Sequence, residues 1–120
     1  MKKTFAAVFV VLLLAGCDSP ERKAFKGLMH EMKANQTQAF AVEQKFSATQ
    51  AQDILKTYDL TADKIISRMG TPAFDMDVKA RLGVVKAIVA KAGTNLDAPG
   101  FAAAMHDVDA QCKACHEKYN

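Results

Sequence analysis

Tryptophan is absent from the 120 residues, proline occurs three times and glycine six times. That scarcity excludes collagen-like and low-complexity chains. A composition that is 50% apolar is too hydrophobic for a disordered one. Charge of one sign is lacking too. The formal net charge is +3, but Lys2 and Lys3 precede an apolar run that reads as a targeting segment. Without those two lysines, residues 17–120 carry 14 basic against 13 acidic residues. The basic stripe expected of a nucleic-acid binder is therefore missing, and no nucleic-acid partner is predicted. No apolar run reaches the roughly 20 residues that span a bilayer. Cysteine is scarce and its count is odd: Cys17, Cys112 and Cys115.

The first cysteine belongs to the N-terminus. Met1-Lys2-Lys3-Thr4, the apolar run from Phe5 to Leu14 and the small residues Ala15-Gly16 have the form of an export signal. Leu14-Ala15-Gly16-Cys17 resembles the bacterial lipobox, whose cleavage leaves a lipid-modified N-terminal cysteine; ordinary secretion with an unmodified thiol is the alternative. The resemblance implies a lipoprotein signal peptide over residues 1–16, lipidation at Cys17 and a short anchor linker over 17–20. Two or more acyl chains form a stable membrane anchor. Asp18, directly after the cysteine, is the residue that in many such lipoproteins keeps the protein at the inner membrane. The implied location is the periplasmic side of a bacterial membrane.

From residue 21 onward, apolar residues recur at three- and four-residue steps, the helical period. A first helix is expected from about Glu21 to Lys45, with Phe25, Met29, Met32, Gln36, Ala39, Phe40 and Glu43 on one face. Ser47-Ala48-Thr49-Gln50 has the capping-box form, with Phe46 before it as a staple. The second helix carries Ala51, Leu55, Tyr58, Ala62, Ile65 and Met69 and should stop at Gly70, with Pro72 beyond. The third starts at Asp75 or Asp77, carries Val78, Leu82, Val85, Val89 and Ala92, and ends at Gly93. The fourth has Asp97 as cap and Pro99 in its first turn. Its stripe is Phe101, Met105, Val108, Cys112 and Cys115. No segment alternates as a strand would. Short connections favour antiparallel neighbours, so residues 21–120 are expected to form one all-α domain, an up-down-up-down four-helix bundle.

Cys112-Lys113-Ala114-Cys115-His116 is the C-x-x-C-H signature of covalent haem attachment. Cysteines three apart share a helix face, so both can form thioethers to one haem c, and the adjacent histidine can ligate its iron. A thioredoxin-type pair belongs at a helix start after a strand. A zinc site needs a second ligand pair, whereas His30 and His106 are isolated. A structural disulfide does not require the histidine. No acid, base or nucleophile constellation accompanies the motif, so a carrier is expected, not an enzyme.

A haem motif ending the last helix of a four-helix bundle resembles the class II c-type cytochromes, cytochrome c′ and cytochrome c-556. Their usual ending is Cys-x-x-Cys-His-x-x-Tyr-Arg. Here Tyr119 matches and Asn120 replaces the arginine, which leaves Lys118 as the cation for a haem propionate. The resemblance implies covalent attachment at Cys112 and Cys115, His116 as proximal iron ligand, and a first-helix residue on the distal side. A methionine there gives six-coordinate haem suited to single-electron transfer; an apolar residue gives five-coordinate haem that binds nitric oxide or carbon monoxide. The three-residue step between Met29 and Met32 points to Met29, although the basic residue expected four positions earlier is Phe25. A register from Arg22 puts Lys26 there, and Met32-Lys33-Ala34-Asn35 resembles the stretch around the c-556 ligand. Met29, Met32 or neither thus remain as distal ligand, and either methionine also serves as adaptable core filler. His30 and His106 read as surface residues. Phe25, Phe40, Phe101, Met105 and Val108 are candidates for the pocket wall or for ordinary core. Redox partner proteins and the membrane are the implied partners, and homodimers are common in that family. A haem-free thiol-redox or interaction lipoprotein is the more distant alternative.

Overall fold

Four helical stretches of the sequence become four α-helices in the computed structural model, which describes residues 20–70 and 72–119. They are α1 (Pro20–Gln44), α2 (Ala48–Ile66), α3 (Ala73–Gly93) and α4 (Ala98–Tyr119). Among the described residues there is no strand. The expected signal peptide, Cys17 and Asp18 lie outside the described residues, as does Asn120. Pro20 opens α1 instead of closing the linker. Proline suits a first turn, where its missing N–H would have no intrahelical acceptor.

Local signals start two of the helices. Ser47 is extended (φ −135°, ψ 122°) and its hydroxyl accepts the Gln50 N–H at 3.4 Å, half of the reciprocal capping box. Asp97 Oδ1 accepts the Gly100 N–H at 2.7 Å at the head of α4. Phe46 packs against Phe101, ring centroids 6.1 Å apart, so the residue before the cap fastens α2 to α4.

The end of α2 differs from expectation. The helix stops at Ile66, and Arg68 and Met69 donate to Ile65 and Ile66 carbonyls at 3.0 and 3.1 Å, a tightened final turn. Gly70 does not adopt the left-handed conformation; its N–H donates to Asp75 Oδ2 at 2.7 Å. Because Asp75 serves this loop from within the first turn, α3 begins earlier, at Ala73, with Pro72 before it.

The core is centred on α2, which buries Ala51, Ile54, Leu55, Tyr58, Thr61, Ala62 and Ile65. Val78, Leu82, Val85 and Val89 of α3 meet it, with Phe101, Ala104, Met105 and Val108 of α4 and Met32, Ala39 and Val42 of α1. The helices pack α1 on α2, α2 on α3, α3 on α4, and α1 again on α4, the last seam being the sparsest. Asn35 is buried in α1, and its Nδ2 donates to the Ile54 carbonyl at 3.0 Å, which satisfies a polar group inside the core.

Phe40 is a correction. It was expected on the inner face but is 49% exposed. The stripe of α1 runs through Met32, Asn35, Ala39 and Val42, and Phe40 lies about 100° around the helix from Ala39. Ala39 is buried on the inner face as expected, while Asn35, a polar residue that apolar counting passes over, takes an inner position through its bond to the Ile54 carbonyl. Phe101→Ala is expected to cost about 3–5 kcal/mol in urea unfolding, whereas Phe40→Ala stays within about 0.5 kcal/mol.

Candidate functional site

At about 100° per residue, Cys112, Cys115 and His116 fall within one quadrant or so of α4. The helix continues unbroken to Tyr119, so this geometry is kept through the motif. Both cysteines pack at the edge of the core, and neither is in a disulfide.

A cavity of about 470 Å³ opens against that face, inside the range of roughly 300–1,000 Å³ typical of ligand and cofactor sites. Every helix contributes to its wall. From α1 come Phe25, Lys26, Met29, His30, Met32, Lys33 and Gln36; from α2, Tyr58; from α3, Val78, Arg81, Leu82 and Val85. Asp109, Gln111, Cys112, Lys113, Cys115 and His116 complete it from α4.

Met29, Met32, Cys112, Cys115 and His116 are thus brought together, residues separated by up to 87 positions in the chain. Met32 is buried, Met29 is half-buried, and His30 and His116 are exposed at the rim. Lys118 is not in the wall. Its Nζ lies 3.0 Å from Asp77 Oδ2, which ties the end of α4 to α3. His106 is exposed beside Asp107, as expected of a surface residue. Of the five residues offered for the wall, Phe25 alone lines it, set edge-on to Phe74 with centroids 6.3 Å apart. Phe101, Met105 and Val108 are core residues, because they precede the motif by one to three turns of α4 and so lie deeper among the helices.

Tyr58, Arg81 and Asp109 are wall residues that the sequence reading did not single out. Arg81 had a signal. Val78, Arg81, Leu82 and Val85 stand at i, i+3, i+4 and i+7, so the arginine sits inside the apolar stripe of α3. Asp109 accepts a hydrogen bond from Gln36 Nε2 of α1 and lies 3.0 Å from Lys113 Nζ.

The thiols are electrostatically unequal. Burial pushes the Cys112 thiol above its ordinary range, and the carboxylate of Asp109 adds to this. Burial also raises Cys115, but the guanidinium of Arg81 acts against it. The phenol of Tyr58 is held well above its usual range by burial, reinforced by Cys112, Asp109 and Glu43. All three shifts favour the protonated form in the folded chain.

Raised acid pKa values add stability that is level below the unfolded pKa and lost as pH climbs toward the folded one. With its thiols free, the protein should lose unfolding free energy as pH climbs above the ordinary thiol range, about 8.5. Tyr58→Phe should remove the further fall above about 10, as measured by urea unfolding across the alkaline range. Among the described residues no helix is long and apolar enough to cross a membrane, and no three His, Cys, Asp or Glu side chains cluster as a metal-ion site. No family model matches the chain, and no curated protein or solved structure does either.

Proposed function

We propose that the protein is a c-type cytochrome of the class II kind: an exported, lipid-anchored, up-down-up-down four-helix bundle that carries single electrons on one covalently bound haem. One observation carries the proposal. Both thiols of the C-x-x-C-H motif, its histidine and two methionines of a different helix line the same apolar-walled cavity. A bare C-x-x-C pair kept for disulfide exchange would need neither the large apolar space nor the methionines.

The donor set fits the cofactor. Cys112 and Cys115 would hold it through thioethers and His116 would ligate its iron through the imidazole. When bound, the haem supplies a one-electron iron couple whose potential depends on axial ligand, burial and hydrogen bonding. The chain's own residues set those conditions. Val78, Leu82 and Val85 give an apolar wall that excludes water from one side, and Tyr58 presents a neutral phenol. Asp109, held by Gln36 and Lys113, keeps its charge occupied at the wall.

Register favours Met29 over Met32 as distal ligand. In the proposed topology α1 and α4 run in opposite directions, and the Gln36–Asp109 bond aligns them. Met29 lies seven residues before Gln36 and His116 seven residues after Asp109. At a rise of about 1.5 Å per residue in each helix, Met29 and His116 are level. Met32 is buried in the core and acts as filler. The partners are then redox proteins, with the membrane reached through Cys17. Met29 is half-buried and packs against the core, which supports a second reading in which it serves as filler and a bound haem would take up nitric oxide or carbon monoxide.

Absorption spectroscopy of protein made with c-type maturation machinery tests both. A Soret band with a low-spin spectrum is expected. Met29→Ala should turn it high-spin and open it to carbon monoxide, while Met32→Ala leaves it low-spin. A wild-type protein without a Soret band overturns the haem proposal, and a high-spin wild-type protein that binds carbon monoxide establishes the gas-binding reading instead.

A further inference from the structure

We infer that Arg81 is the anion-binding point of the cavity, where its guanidinium receives a carboxylate of the group held by Cys112 and Cys115, a propionate if that group is haem; this rests on the haem proposal above. Arg81 Nε is buried and makes no hydrogen bond. The nearest carboxylate is one turn away on the same helix, and Asp77 Oδ1 stays 3.5 Å from Nε. The other oxygen of Asp77 is engaged by Lys118 Nζ of α4 at 3.0 Å. Asp77 is therefore held between two helices, near enough to balance the guanidinium charge and too far to accept its N–H. A buried guanidinium donor without an acceptor is costly, and its planar fork matches a carboxylate in two-point geometry. Nε itself is covered, but the side chain keeps 28% of its exposure and lines the cavity, so an acceptor held there can meet the guanidinium.

The rest of the wall agrees with this polarity. Among the described lining residues the single carboxylate is Asp109, and Gln36 and Lys113 already occupy it. Lys26, Lys33 and Lys113 are exposed at the rim, where water solvates an ammonium well. Arg81 stands instead within the apolar stripe of α3, close enough for its charge to act on the Cys115 thiol. The role offered to Lys118 by the sequence passes to Arg81, and Lys118 becomes a positioning residue that holds Asp77.

The test uses the haem-loaded protein with Arg81→Gln, Arg81→Lys and, as a control on an exposed lysine outside the cavity wall, Lys56→Gln. Three quantities are read: covalent haem after denaturation, the propionate bands in the resonance Raman spectrum, and the midpoint potential against pH. Arg81→Gln should retain covalent haem but shift the propionate bands. An uncompensated carboxylate stabilises ferric iron, so the ferrous fraction at fixed ambient potential should drop several-fold at neutral and alkaline pH. At acid pH, where a proton neutralises the carboxylate, the drop should vanish. Arg81→Lys should keep most of the potential while still altering the propionate bands, and Lys56→Gln should leave the profile unchanged. Arg81→Gln protein with wild-type propionate bands and pH profile overturns the inference and leaves the haem proposal standing. If Arg81→Gln fails to fold, unaltered bands in Arg81→Lys overturn it equally. A wild-type protein without covalent haem overturns both.

Discussion

The buried face of α2 is the constraint on which the other helices depend. Ala51, Ala62 and Ile65 are wholly shielded from solvent. Alanine at two of these positions lets neighbouring backbones approach closely, since it has no side-chain bulk to hold them off. Between them stands Tyr58, the largest fully buried side chain of the chain's described part and the one contribution of α2 to the cavity wall. The same helix that draws α1 and α3 together therefore also supplies a surface of the cavity between them.

The C-terminal motif is pinned from both sides. Asp109, three residues before Cys112, bonds to Gln36 of α1. Lys118, three residues after Cys115, pairs with Asp77 of α3. Each tie is partly or largely exposed and contributes little to stability alone. Their value lies in position: the two thiols and His116 sit on a rigid helix segment held at one end by α1 and at the other by α3. A functional constellation built on a braced helix holds its geometry better than one on a loop.

Features governed by neighbours in the chain were legible in the sequence. The serine at 47 with glutamine at 50, the aspartate at 97 and the apolar stripe of α2 all depend on spacing alone, and they appear where spacing puts them. That a first-helix residue should face the motif was implied only by the family resemblance, which left Met29, Met32 or neither open. What escaped were tertiary choices. Gly70 looked like a left-handed cap, but Asp75 reached back to its N–H and the helix ended a turn sooner. Phe40 looked like core, but the inner stripe passes through Asn35, whose amide finds its acceptor on α2. The charge of Lys118 was visible, but nothing local identified Asp77, 41 residues earlier, as its partner.

The sparse seam between α1 and α4 bears on the order of assembly. Contacts of α2 with α1 and α3, and of α3 with α4, join segments adjacent in the chain, a topology of low contact order that forms quickly. The contact between first and last helices closes the largest loop and has the least packing to reward it. The cavity lies along this last-closing edge, with Met29 on one bank and Cys112 on the other. The chain can thus complete most of its core with its two thiols still reachable from outside, and a bulky group can be admitted sideways without unthreading any helix.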